Sequence, residues 1–447
     1  MNINRKDVLW GYISLILVQS VNVLLLPFVL IYLNDKELGL WYTFTSLYGL
    51  AMLVDFGFQA TISRNISYIW SGADSIKATG HNYSNIENDG KINVKYFISL
   101  LSSIKFIYYI MGALIFIILI TVGTYYIYLI SVNEIDIYKV LIAWFFYLTA
   151  IVLNIMFSFW NAILKGIGAI KEYNKTLIIA KVGQIIFSLI LLFLGYGIVG
   201  ITFAYLLSVI LNRVTLSMFF YGFSEFTKKM KGKIKPKINT EIIKKLLPNT
   251  VKTGITSISN YLVINFPILL SSYYLSLEIS GQFGIVNQII TLCLTISNSY
   301  FNTYLAKFSY YRVKNNVSGL TRLFKKSILI NYAINFTLFL GFIVAGQYVL
   351  DLLATNKTLL PTSLTIIIIV YRFLYNNQTI FVSLLSTKNV IPYYKSFIIS
   401  SVIIVIVQFV VLTAYPALLT IILPILFIQL FYNNWYWPLQ VVKDLRR

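Results

Sequence analysis

Cysteine, histidine and acid are what this chain has least of. Its 447 residues include one cysteine, Cys293, and one histidine, His81. A single thiol closes no internal disulfide, so no cross-link within the chain stabilises the fold. One imidazole and one thiol leave most metal-ligand sets and histidine-based acid–base catalysis out of contention. Charge is scarce as well: 11% of residues are charged against 58% hydrophobic, and mean hydropathy is +0.78. A soluble domain has no way to hide that much apolar surface, so the solvent is lipid. The acids are outnumbered, 15 Asp and Glu to 36 Lys and Arg, giving a net charge of +21. Such a surplus is also a nucleic-acid signal, and its placement along the chain decides between the two readings.

A bilayer core about 30 Å thick is crossed by about 20 apolar residues in a helix. Runs of that kind lie at 8–33, 38–66, 96–130, 138–164, 176–195, 197–222, 246–272, 279–306, 325–349, 361–386, 393–412 and 416–437. The sequence therefore predicts an all-α integral membrane protein with twelve transmembrane helices. The first run follows Arg5 and Lys6 as a signal peptide would, but it is too long and has no small-residue cleavage site. It reads as a retained helix. With the N-terminus in the cytoplasm and the spans alternating, 29 of the 36 basic residues fall in or beside inner segments. Outer loops hold only Lys36, Lys139 and Lys357. This is the positive-inside pattern, and an even number of spans puts both termini in the cytoplasm. The surplus faces anionic inner-leaflet lipid, and no nucleic-acid partner is needed to explain it.

The lysine-rich stretch 223–245, FSEFTKKMKGKIKPKINTEIIKK, divides the chain into an N-lobe of helices 1–6 (1–222) and a C-lobe of helices 7–12 (246–447). The two halves share a pattern. PFVLIYLNDKELG from Pro27 matches PILLSSYYLSLEISG from Pro267, each with a glutamate, Glu37 or Glu278, and then Gly39 or Gly281. In the eighth span Gln288, Thr291, Thr295, Asn298 and Asn302 step along one helical face. A shift of 243 takes them to Thr45, Tyr48, Met52, Asp55 and Gln59, and takes Lys307 to Arg64. The expectation is two parallel repeats related by a pseudo-twofold axis along the membrane normal.

Further polar stripes occur at Asn249, Lys252, Thr256, Ser259 and Asn260 and at Thr365, Arg372, Asn376, Thr379 and Ser383. Unpaired polar groups are costly in hydrocarbon, so these faces avoid lipid. They are either glue between helices or, the favoured reading, the lining of a hydrated cavity between the lobes. Arg372 lies 11 residues past Pro361, about 16 Å into the membrane, where no snorkel reaches water. Arg64 lies about 39 Å along its helix, at the cytoplasmic rim. Headgroup contact and substrate contact stay open for it and for Lys307. Arg213 ends its span near the basic linker and reads as an anchor. Asp55 is the one carboxylate inside a span; it is either an ion-coupling group, for H+ or Na+, or a structural partner. Embedded cations, among them Arg64, Arg213, Lys252 and Arg372, outnumber the one embedded acid and imply an anionic cargo, and arginine offers paired donors to phosphate oxygens. The candidate cationic lining is Arg372, Lys252, Arg64 and Lys307; the polar lining is Gln59, Thr256, Asn260, Gln288, Thr291, Asn298, Asn302 and Asn376. No cofactor is expected.

The stretch Leu38–Ser67, LGLWYTFTSLYGLAMLVDFGFQATISRNIS, resembles the start of the bacterial polysaccharide transporters, the O-antigen flippases of the multidrug/oligosaccharidyl-lipid/polysaccharide exporter superfamily. The likeness rests on Gly39-Leu40-Trp41, Asp55-Phe56-Gly57 and Arg64. It implies transfer of a polyprenyl-pyrophosphate-linked oligosaccharide from the cytoplasmic to the outer leaflet by alternating access, coupled to an ion gradient. It also implies a place in the bacterial cytoplasmic (inner) membrane, with a polysaccharide polymerase and a chain-length regulator as partners besides membrane lipid. No bond is made or broken, so no catalytic residue is expected. A multidrug extruder of the same superfamily would want an acidic cavity. A lipid-II or teichoic-acid flippase stays open, whereas a membrane polysaccharide polymerase would want a long outer loop.

Overall fold

The computed structural model describes residues 24–72, 92–314, 316–353, 357–388 and 391–446. Most of the first expected span, His81 and the side chain of Lys252 lie outside the described residues. Every expected run from the second to the twelfth is helical, and there is no strand among the described residues. Nine helices there are long and apolar enough to cross a membrane. Thr362–Ser386 is as long as they are, but Arg372, Asn376, Asn377 and Gln378 sit in its middle. The chain is a multi-pass membrane protein.

Two compact units divide it: residues up to 33 with 47–257, and residues 34–46 with 258–447. In the first, Ile170–Phe193 and Gly197–Gly222 form an antiparallel hairpin over a tight turn. Gly195 and Gly197 take φ of 81° and 50° there, a left-handed conformation open to a residue without Cβ. The second expected run is not continuous. Asp35–Met52 ends in a 3₁₀ turn, Leu53–Asp55, and Phe58–Trp70 begins only after Phe56 at φ 43° and Gly57 at φ 74°. Phe56 is the one non-glycine residue at positive φ among the described residues. Its ring lies against Gly254, where an added Cβ would come within 1.8 Å of it. That contact helps to hold a backbone conformation that a phenylalanine otherwise avoids. The fourth run breaks similarly at Phe157–Ser158, between Ile137–Met156 and Phe159–Gly166.

Thr240–Ile264, which belongs to the first unit up to Ser257, ends in the second at Asn265, and Phe266–Tyr274 follows with Pro267 in its first turn, where a missing N–H is harmless. Leu277–Thr303 packs on the start of Asp35–Met52 through glycines. A Cβ on Gly39 would sit 1.7 Å from the Leu277 carbonyl oxygen, and one on Gly281 would sit 3.1 Å from the Gly39 nitrogen. Tyr394–Ala414 is built inside out for a lipid solvent. It exposes Val402, Ile403, Ile406 and Val410 and buries Ser400, Ser401 and Gln408, whose Nε2 donates to the Ile421 carbonyl at 2.7 Å. At one end of the unit, Asp444 accepts from Arg312 Nη2 at 2.6 Å and from Lys388, over a cluster of Phe301, Phe308, Phe324 and Trp437.

Candidate polar sites in the two units

In the first unit the helix break at 53–57 aims Asp55 inward. Its Oδ1 accepts from the Tyr108 hydroxyl at 2.6 Å, and its Oδ2 accepts from the Gln59 backbone N–H at 3.4 Å. The second contact places a carboxylate at the positive end of Phe58–Trp70, where the helix dipole favours it. Beside this pair runs a chain of amides: Asn154 Nδ2 donates to the Tyr48 hydroxyl at 3.1 Å, and Arg213 donates to Asn154 Oδ1 and, at 3.3 Å, to Asn161 Oδ1. Arg213 Nε is buried without a partner. The sequence reading made Arg213 an end-of-span anchor, and the structure corrects it. The helix ends at Gly222, where the sequence also ends the span, so Arg213 sits nine residues, about 14 Å, inside it, and its partners are on another helix. Counting depth from the helix end, as for Arg372, would have found it. The guanidinium lines a cavity of about 470 Å³ together with Lys105, Tyr109, Phe157, Trp160 and Tyr221.

The second unit repeats this plan with neutral groups. Shifts of 243, 223 and 222 take Asp55, Tyr108 and Asn154 to Asn298, Asn331 and Asn376. These three close a ring: Asn331 donates to Asn298 at 2.9 Å, Asn298 to Asn376 at 2.7 Å, and Asn376 to Asn331 at 3.5 Å. Asn335 adds a fourth amide, donating to Asn331 at 2.9 Å. One turn before Asn376 on the same helix, Arg372 is 4% exposed; its Nη2 donates to Thr291 Oγ1 at 2.8 Å, and its Nε is buried without a partner. Neither Arg372 nor Arg213 pairs with a carboxylate among the described residues.

The other candidates are spread out. Thr291, Asn302 and Asn260 are exposed, and Asn260 Oδ1 accepts from the Tyr375 hydroxyl. Gln288 Oε1 accepts from the Tyr42 hydroxyl at 2.7 Å. Gln59 and Thr256 are half-buried. Arg64 is exposed, and so is Lys307, whose ammonium lies 5.8 and 5.7 Å from the Tyr304 and Tyr311 ring centres. Thus Asn298 and Asn376 meet directly, and Arg372 meets Thr291. Arg64, Lys307 and Gln59 join neither group. Among the described residues no three His, Cys, Asp or Glu side chains are grouped to hold a metal.

Neither a protein-family model nor a curated protein matches the chain. Solved structures do. A multidrug resistance MATE family transporter of the MOP superfamily, in an inward-facing conformation, is 13% identical, with 99% of each chain covered and a TM-score of 0.73. An outward-facing MATE family transporter is 13% identical over 98% of this chain and 96% of its own, with a TM-score of 0.58. A MOP superfamily transporter from Pyrococcus furiosus, described as having a binding pocket whose reverse polarity suggests a different function, is 13% identical over 99% and 96%, with a TM-score of 0.53. The chain has the fold of these transporters, all-α among its described residues, and the expected twelve transmembrane helices in two six-helix lobes fit that fold.

Proposed function

We propose that the protein is a flippase that moves a polyprenyl-pyrophosphate-linked oligosaccharide, a surface-polysaccharide repeat unit such as O-antigen, from the cytoplasmic to the outer leaflet of a bacterial inner membrane. The lobes 1–222 and 246–447, joined by 223–245, alternate access to a wet, positive path for the headgroup while the polyprenyl tail stays in lipid. Both termini are cytoplasmic. The observation that carries this reading is that Arg372, deep in a membrane helix, is held by the Thr291 hydroxyl and by no described carboxylate. A buried cation without a counter-ion is costly, and a phosphate supplies the missing charge. Exposed Thr291, bonded to Arg372 on a membrane helix, suits a hydrated route better than lipid. The fold's neighbours in inward- and outward-facing conformations support alternating access. Asp55 is the residue we assign to coupling with H+ or Na+. Reconstituted in vesicles with a fluorescent polyprenyl-pyrophosphate oligosaccharide, the wild type flips the lipid. Arg372→Ala abolishes flipping, and Arg372→Lys retains part of it. Wild-type rates in Arg372→Ala would end the proposal, and export of cationic dyes in place of the lipid would favour a multidrug extruder.

A further inference from the structure

The 470 Å³ cavity of the first unit has two kinds of wall. On one side Tyr109, Phe157, Phe159 and Trp160 pack on one another, Tyr109 and Phe157 edge to face with ring centres 5.8 Å apart, and Phe159 and Trp160 tilted at 4.8 Å. Rigid rings of this size leave a hollow that aliphatic side chains would close. On the other side Ile210, Val214 and Met218 are 41%, 51% and 66% exposed, a continuous apolar strip on a membrane helix. In a lipid solvent such a strip faces acyl chains, so the hollow opens sideways into the bilayer. Two cations line it, Lys105 and Arg213, with Arg213 Nε buried and unpartnered. Lys105 Nζ donates to the Ile234 carbonyl at 3.3 Å; the Lys237 N–H reaches the Ser102 carbonyl at 3.3 Å, and Asn239 Nδ2 reaches Ser99 Oγ at 3.3 Å. The lysine-rich linker therefore lies along Ser99–Lys105, and a segment so basic marks the headgroup level of the membrane. The cavity thus runs from headgroup level inward along an apolar strip.

We propose that this cavity binds a phospholipid with an anionic headgroup from the leaflet on the linker side, its phosphate held by Lys105 and Arg213 and one acyl chain laid over Ile210, Val214 and Met218. A second groove, about 310 Å³, lies between Tyr394–Ala414 and Leu418–Ile428 and is lined by Ile403, Val407, Leu423, Pro424 and Phe427 with no cation. It fits an acyl chain but has nothing to select a headgroup. The difference in charge makes the first cavity selective and the second not.

Trp160 in the cavity wall supplies the test. The full chain is placed in nanodiscs containing phosphatidylglycerol or phosphatidylcholine with brominated acyl chains, which quench tryptophan on contact. The Trp160 component is the difference between wild type and Trp160→Phe. Phosphatidylglycerol is expected to quench it at about tenfold lower mole fraction than phosphatidylcholine. Lys105→Gln and Arg213→Gln each bring the two lipids closer together, and Lys105→Gln alone suffices if Arg213→Gln does not fold. Equal quenching by both lipids would overturn the proposal. So would release of the brominated phosphatidylglycerol by millimolar inorganic phosphate, which would point to a free-anion site, or by micromolar polyprenyl diphosphate, which would point to cargo. Arg372→Ala, dead in flipping, keeps the lipid preference, so the two proposals fail separately.

Discussion

Replacing Arg372 by methionine should make the protein more stable and stop it working. The side chain is 4% exposed, and its guanidinium makes one charge-assisted hydrogen bond, to Thr291 at 2.8 Å. A bond of that kind contributes about 1.5–3 kcal/mol. Against it stands the cost of holding a cation out of water, several kcal/mol for a buried ion after relaxation, with no described carboxylate to offset it. Methionine fills similar volume without the charge. Thr291 is not orphaned, because its hydroxyl also donates to the Asn287 carbonyl at 2.7 Å. Exchange of buried ionic groups for apolar ones of similar volume is often neutral or stabilising by about 1–4 kcal/mol. A gain of 1–2 kcal/mol raises a melting temperature by about 2–8 °C for a unit of roughly 200 residues. The assay is built in: Cys293 is the sole cysteine and is buried, so a thiol-reactive fluorogenic dye reports unfolding of this unit. Higher melting with no flipping is the expected result. A fall in melting temperature with flipping intact would make Arg372 a structural residue and refute the reasoning.

The remaining predictions concern packing, networks and topology. Gly39→Ala places a Cβ 1.7 Å from the Leu277 carbonyl and should destabilise by more than about 3 kcal/mol, read as loss of folded protein in detergent. Gly341→Ala, in a helix with nothing within 4 Å, should be neutral or stabilising by up to about 1 kcal/mol in the same measurement. Asp444→Asn removes the bridge between Arg312 and Lys388, and melting should show a loss of about 1–2 kcal/mol, since the carboxylate is only 8% exposed. Tyr108→Phe and Asp55→Asn should be non-additive by about 1–2 kcal/mol in a double-mutant cycle, because each removes the same 2.6 Å hydrogen bond. In a Cys293→Ser background, single cysteines at exposed linker positions such as Lys231 or Lys235 should react only with reagents that reach the cytoplasm.

The spans were easy to read because lipid leaves the chain little choice: every backbone group in the bilayer bonds within its own helix, so apolar length alone marks a span. Even the short Gly195-Tyr196-Gly197 break proved to be a real turn, with both glycines at positive φ. The break inside Asp55-Phe56-Gly57 was harder, since the residues stood out as a motif but one glycine does not announce a left-handed turn. Phe56 takes positive φ against its own preference, and Gly254, nearly 200 residues away in sequence, gives its ring room. Arg213 was missed for a similar reason. Its neighbourhood in sequence is the basic linker, whereas its partners are Asn154 and Asn161 on another helix.

The repeat in the sequence is accompanied by related side-chain contacts, and an exchange of charge within it is informative. At equivalent positions the first unit sets Asp55 against Tyr108, and the second sets Asn298 against Asn331. Both pairs join the same two helices of their unit, so either would hold the bundle; a structural task alone gives no reason for a carboxylate in one copy. An amide ring such as Asn298, Asn331 and Asn376 satisfies itself and keeps its charge at zero whatever the surroundings. A carboxylate bonded to a hydroxyl can take or release a proton, and in doing so it changes the field felt by a neighbouring guanidinium. Arg213 lies in the same unit, reached from Tyr48 on the Asp55 side of the helix break through Asn154. A protonation step placed there would alter how firmly the first unit holds an anion. Coupling is therefore assigned to the half that keeps a carboxylate where its counterpart in the other half is an amide.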